Sequence, residues 1–134
     1  MVGLVLVAHS AVLLEGLHAM LAQAAPSVRV GLAGGTATGS LGTSAPRVLA
    51  AIHEMLTTVD GAVVLVDLGS AMLAVEIALE EATDAERARM RVSTGPIVEG
   101  AVLAAVEAAA GAGLDAVLAA ANGAATMPKL PGLA

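Results

Sequence analysis

The chain contains no cysteine and no phenylalanine, tyrosine or tryptophan. Without thiols there is no disulfide framework, thiolate nucleophile, zinc–cysteine site or iron–sulfur cluster. Without aromatic rings there is no platform on which bases, sugars or flavins can stack. Basic residues are scarce as well, six against twelve acidic ones for a formal net charge of −6, and Lys129 is the one lysine. Nucleic acid is therefore not an expected partner, and a P-loop, which needs a lysine inside its glycine-rich turn, is excluded. Long apolar runs are also missing. The longest uncharged stretch, 30–46, is broken by glycines and hydroxyl residues, and nothing supplies the roughly 20 consecutive apolar residues of a spanning helix. The short apolar run at the N-terminus has no basic region before it, so it does not read as a secretory signal. A cytoplasmic location without membrane insertion is expected.

What is present is apolar. Of 134 residues 57% are hydrophobic and 13% charged, which points to one well-buried domain and away from disorder. Val2 to Val7 is a short run rich in β-branched residues, the pattern of a strand covered on both faces. From Val12 the spacing of Leu13, Leu17, Met20 and Leu21 is helical until Pro26. A second strand is expected over 28–32, then a Gly/Thr/Ser loop over 33–42. A second helix follows with Thr43 or Ser44 as N-cap and Pro46 in its first turn. Ala62 to Val66 reads as the third strand, bounded by Asp60-Gly61 and by Asp67-Leu68-Gly69-Ser70. In the third helix Met72, Val75 and Leu79 form a stripe with Leu73 and Ile77 beside it, an apolar face wider than one sheet contact requires. Thr83 and Glu86 have capping-box spacing. A weak strand over 91–94, an alanine-rich helix over 97–110 and a last helix over 115–121 complete the pattern. The segment 123–134 has no periodicity and is expected to be a disordered tail.

The alternation of strands and helices implies a three-layer α/β/α fold with a mainly parallel four-stranded sheet. Right-handed crossovers with a reversal after the second strand give the order 2-1-3-4. The first and third strands are then neighbours at a topological switch point, with a crevice at their carboxyl ends. The loop after the first strand carries His9-Ser10 and the loop after the third carries Asp67 to Ser70.

His9 follows a buried strand and precedes a helix, where unpaired backbone N–H groups and the positive end of the dipole suit an anion. A histidine that attacks phosphorus must be neutral with one ring nitrogen free, and a carboxylate on the other nitrogen fixes the tautomer. Asp67 is the candidate carboxylate. Plainer readings stand beside these. His9 alone reads as a structural histidine and Asp67 alone as a turn residue. Ser10, Thr43 and Ser70 read first as N-caps, and as phosphate donors only if their loops converge. His18 and His53 lie in helices without metal-ligand spacing, so no metal site is expected. Glu99 is explained by the dipole of its helix.

Val7-Ala8-His9-Ser10, the Gly42-Thr43 helix entry, Val66-Asp67-Leu68-Gly69-Ser70-Ala71 and Gly95-Pro96-Ile97-Val98-Glu99-Gly100 occur in that order. Together they resemble the mannose-type EIIA family of the phosphoenolpyruvate-dependent phosphotransferase system, and within it the phosphoryl-donor subunits of dihydroxyacetone kinase. The resemblance covers residues 1–122. It implies that His9 is phosphorylated by the histidine phosphocarrier protein HPr and discharges to ADP on the kinase's nucleotide-binding subunit, DhaL, with no cofactor. It also implies a homodimer and a phosphate-lining role for Ser10, Thr43, Gly69 and Ser70. One departure is Ala8, where the family often carries serine. Some family members continue into further phosphocarrier domains; the single-domain form is expected here. Two other readings remain open: a sugar-specific EIIA that donates to an EIIB partner, and a non-catalytic ligand-binding or regulatory module on the same scaffold.

Overall fold

The computed structural model of the chain describes residues 1–132. In chain order its elements are β1 (Val2–Ala8), α1 (Ala11–Ala24), β2 (Val30–Gly34), α2 (Ala45–Leu56), β3 (Gly61–Val66), α3 (Met72–Glu81), α4 (Asp84–Ala88), β4 (Met90–Val92), α5 (Ile97–Ala109) and α6 (Leu114–Gly123). The four strands are all parallel in the order β2-β1-β3-β4. This is the α/β sheet expected from the alternation, with β1 and β3 side by side at its centre.

Alternation along the central strands divides the core in two, because successive side chains leave a strand on opposite faces. Leu4 and Leu6 of β1 meet Leu14, Leu17 and Leu21 of α1 and the alanines of α5 on one face. Val5 and Val7 meet Val48 and Ile52 of α2 and Val75 of α3 on the other. Every residue of β1 and of β3 is buried. Each large core side chain removed from either strand is expected to cost about 2–5 kcal/mol, so the two loops that matter leave from rigid supports.

Three local outcomes correct or refine the sequence pattern. β2 starts at Val30 and not at 28, because the Val28 N–H is still donating to the Ala25 carbonyl in the turn around Pro26. Of the two possible caps for α2, Ser44 is used: its hydroxyl accepts from the Arg47 N–H, with Pro46 in the first turn. Thr43 sits one residue too early for that bond. The stripe of α3 divides as well. Ala74, Val75 and Ala78 are buried, whereas Leu73 is 64% and Ile77 40% exposed. Thr83 and Glu86 do form a capping box, at the start of α4. Of the segment 123–134, Ala124–Thr126 form a 3₁₀ turn, and the last two positions lie outside the described residues. No helix among the described residues is long and apolar enough to cross a membrane.

Candidate active site

Strand register brings the two turns together. Val7 of β1 is paired with Val66 of β3, and the Asp67 N–H donates to the Val7 carbonyl (3.1 Å), which extends the ladder by one step. The chain leaves β1 at Ala8 and turns over this point, so His9 stands directly above Asp67. The ring Nδ1 lies 3.0 and 3.1 Å from the two carboxylate oxygens, and the His9 backbone N–H donates to Asp67 Oδ2 at 2.9 Å. A further N–H, that of Leu68, donates to Asp67 Oδ1 at 2.8 Å. The carboxylate is thus surrounded by donors from both loops.

The other ring nitrogen, Nε2, lies 3.0 Å from the Ser70 hydroxyl. Since an ionised carboxylate only accepts, Nδ1 carries the proton of a neutral ring and Nε2 presents its lone pair. Ser70 then donates to it. Asp67 keeps 10% of its side-chain surface exposed and His9 28%, so the acid is sheltered and the ring is within reach from outside. Burial pushes the Asp67 carboxyl up, but the backbone N–H and ring of His9 and the N–H of Leu68 outweigh it and hold the acid below its ordinary value. The carboxylate is ionised at neutral pH.

The remaining expected residues take different places. Ser10 is the N-cap of α1, its hydroxyl accepting from the Leu13 N–H at 3.2 Å. Ser70 is no cap: it lies in the 3₁₀ turn Gly69–Ala71, with its hydroxyl on the histidine. Gly69 is exposed, and an added Cβ would find nothing within 4 Å. Thr43 is half-buried beside Gly42 and takes no part in capping. His18 and His53 are both exposed, away from this cluster. Among the described residues no group of three or more histidine, aspartate or glutamate side chains is placed to hold a metal ion.

Three contributors were not visible in the sequence. The loop 35–44 is tied to the end of β1 and to His9: the Gly35 N–H donates to the Ala8 carbonyl (3.1 Å) and the Gly42 N–H to the His9 carbonyl (2.9 Å). Gly34 lets α1 begin there, since a Cβ on it would lie 2.7 Å from the Ala11 Cα. The third is the backbone N–H of His9 itself. Only the Gly/Thr/Ser composition of the loop hinted at close backbone approach. Val12 in the first turn of α1, Leu41 next to Gly42 and Leu68 next to Asp67 are exposed apolar side chains at 75%, 79% and 59%.

The arrangement can hold an imidazole in one tautomer with its nucleophilic nitrogen outward. Residues 3–118 match the EIIA-man family model, described as the PTS system fructose IIA component. The Escherichia coli (strain K12) PEP-dependent dihydroxyacetone kinase, phosphoryl donor subunit DhaM, is 38% identical over 122 residues, 88% of this chain and 26% of that protein. The chain therefore spans about a quarter of the length of the first curated relatives it matches. The PTS-dependent dihydroxyacetone kinase, phosphotransferase subunit DhaM, of Lactococcus lactis subsp. lactis (strain IL1403) is 34% identical over 86% of this chain and 89% of that protein. The crystal structure of the protein of unknown function EF1359 superposes with a TM-score of 0.83 at 29% identity, covering 91% of this chain and 93% of the other.

Proposed function

The chain belongs to the EIIA-man family, and from that premise we propose that it is the phosphoryl-donor subunit of a phosphoenolpyruvate-dependent dihydroxyacetone kinase, a phosphotransferase working through a phosphohistidine on His9. The observation that carries the reading is the partly exposed ring held by Asp67 through Nδ1, with Nε2 turned toward Ser70. Phosphoryl transfer asks a protein for positioning and charge stabilisation more than for covalent chemistry of its own. A fixed tautomer and a ring of donors meet that demand with no metal or cofactor in this subunit.

In this scheme the Nε2 lone pair attacks the phosphorus carried by HPr; the P–N bond to the carrier histidine breaks as the P–Nε2 bond forms. The Nδ1 proton stays on the ring and is held by Asp67, which stabilises the cationic phosphoimidazole. Ser70 turns its hydroxyl from the lone pair to a phosphoryl oxygen, with Ser10, Thr43 and Gly69 around the group and the first N–H groups of α1 facing it. A terminal phosphate oxygen of ADP on DhaL then attacks phosphorus, the P–Nε2 bond breaks, and the lone pair returns to the ring. The exposed Leu73 and Ile77 of α3 supply the self-association surface of a homodimer. The proposed unit, in the cytoplasm, is 1–122 continued through the end of α6 and the 3₁₀ turn Ala124–Thr126.

The description of the matching family as a fructose IIA component supports a second reading, in which the acceptor is an EIIB protein of a sugar transporter. One experiment addresses both. The chain is incubated with phosphoenolpyruvate, enzyme I and HPr, and intact mass is followed before and after acid. The expected result is one acid-labile phosphoryl adduct on the wild type and none on His9→Ala. An unmodified wild type in the presence of active carriers overturns the phosphocarrier reading. ADP-loaded DhaL and an EIIB, added separately, then report which acceptor discharges it.

A further inference from the structure

A groove of about 600 Å3 runs along the outer edge of the sheet, with 29–32 as its floor, His18 of α1 on one wall and Arg47, Ala51 and Glu54 of α2 on the other. None of His9, Asp67 and Ser70 lines it. Among the described residues β2 has a neighbour on one side only, β1, and in a parallel pair alternate residues turn both backbone groups toward that neighbour. Here the odd-numbered residues do so: the Arg29 carbonyl accepts from the Leu4 N–H (3.0 Å) and the Gly35 N–H donates to the Ala8 carbonyl (3.1 Å). The N–H and C=O of Val30 and Leu32 consequently point away from the sheet, into the groove. At the far end Arg47 Nη2 donates to the Gly34 carbonyl at 3.4 Å.

The charges along this edge are unlike those of the rest of the molecule. Of the six basic side chains, Arg87 pairs with Asp84, Arg91 with Asp115 and Lys129 with Glu99. Arg89 is held by the carbonyls of Leu56, Val59 and Asp60. The other two, Arg29 and Arg47, form no ion pair among the described residues, and both line the groove together with His18; Glu54 is the one acid there. In a chain of net charge −6 this is a local excess of positive charge beside unpaired strand backbone.

We propose that this edge docks an acidic, extended segment of a partner protein, which joins the sheet as a strand beside β2 and sets its carboxylates against Arg29 and Arg47. Main-chain hydrogen bonds to Val30 and Leu32 supply affinity, and the arginines supply the choice of partner, as in other strand-addition sites. Charge also separates this occupant from a second copy of the chain. Edge-to-edge pairing of two β2 strands would bring four unpaired arginines together, the like-charge arrangement that keeps sheet edges apart. The proposal is independent of the phosphotransfer reading.

The test uses the full isotope-labelled chain and three short blocked peptides, alternating threonine with glutamate, with glutamine or with lysine. The glutamate peptide is expected to shift the Val30 and Leu32 amide resonances and slow their hydrogen exchange. The glutamine peptide should bind about tenfold more weakly and the lysine peptide not measurably. The double variant Arg29→Gln, Arg47→Gln should bind the glutamate peptide no better than the wild type binds the glutamine one, with its spectrum otherwise unchanged. Absence of any response at Val30 and Leu32, equal binding of the three peptides, or a response centred on His9 overturns the proposal. Protection of Val30 and Leu32 that grows with protein concentration, without peptide, assigns the edge to a second copy and overturns it too.

Discussion

Among the described residues two histidine–carboxylate pairs occur, His9 with Asp67 and His53 with Glu86, and in both the contact is through Nδ1. They differ in what holds each partner. Asp67 directly follows a fully buried central strand and receives N–H groups from His9 and Leu68, while the His9 backbone is tied to Asp67 and to Gly42. Both members are therefore fixed by backbone. His53 projects from α2 with half of its side chain exposed, and Glu86 is already engaged by the Thr83 N–H in a capping box on α4. That pair joins two helices. The second ring nitrogen makes the same point: His9 Nε2 meets Ser70, and among the described residues His53 has no corresponding hydroxyl. A histidine beside an acid is thus common surface chemistry, and it becomes a candidate site where two strand ends fix the geometry and leave one nitrogen addressed to the outside.

The sharpest way to break this comparison is to remove each ring. His9→Ala is expected to abolish phosphorylation by HPr, and His53→Ala to leave it at the wild-type rate, as read by intact mass over time. Residual adduct on His9→Ala that disappears in the double variant would place the phosphoryl group on His53 and reverse the assignment.

Removing each acid gives the next largest difference. Asp67→Asn keeps the shape but loses a pure acceptor, so the ring is free to choose its tautomer; phosphorylation should slow about 10- to 100-fold. Glu86→Gln should not change that rate, although it weakens the start of α4. Thr83→Ala, which removes the other half of the same cap, should cost about 1 kcal/mol in denaturant unfolding and leave transfer unchanged. Equal rates for Asp67→Asn and wild type would reduce Asp67 to a turn residue. In the proposed scheme Ser70→Ala removes the hydrogen bond that the hydroxyl gives to a phosphoryl oxygen during transfer, and a loss of about 1 kcal/mol there corresponds to roughly a fivefold slower transfer. An acceleration instead would mean that the hydroxyl only blocks the lone pair.

Much of this was legible in the sequence, for reasons that also mark its limits. An apolar run such as Val2 to Val7 has one reading in a chain that alternates strands with helices, and handedness then puts its loop beside the one after Val66. The meeting of His9 with Asp67 follows from that order. The pairing of Ser70 with Nε2 does not, because it depends on a 3₁₀ turn whose residues carry no period. Nor could spacing choose Ser44 over Thr43 as cap, since both hydroxyls precede Pro46 and one residue of helix length decides between them. The late start of β2 has the same cause: Val28 is apolar and β-branched, but its N–H is committed to the turn. The charged edge was hidden more deeply. Arg29 and Arg47 are 18 positions apart, and their common groove and lack of ion pairs exist only after the other four cations have found partners.

The smallest difference between the two histidine pairs lies in their response to acid. Both carboxyls are held below their ordinary values, Asp67 against the opposing push of burial and Glu86 first by the Thr83 N–H and then by His53. A lowered value in the folded state means that the ionised form stabilises the fold above the ordinary value, 3.8 for Asp67 and 4.5 for Glu86. That contribution fades as pH falls through those values and below. The stability difference between wild type and Asp67→Asn, measured by urea unfolding across a pH series, should therefore be largest near neutrality and shrink below pH 3.8. Glu86→Gln should behave alike below pH 4.5. Salt separates the two. The Asp67–His9 pair is the more sheltered, with 10% and 28% of the side chains exposed against 17% and 50% for Glu86 and His53, so added salt should erode the Glu86 difference first. Equal erosion of both would show that backbone fixation gives His9 no electrostatic shelter, and that its distinction from His53 rests on orientation alone.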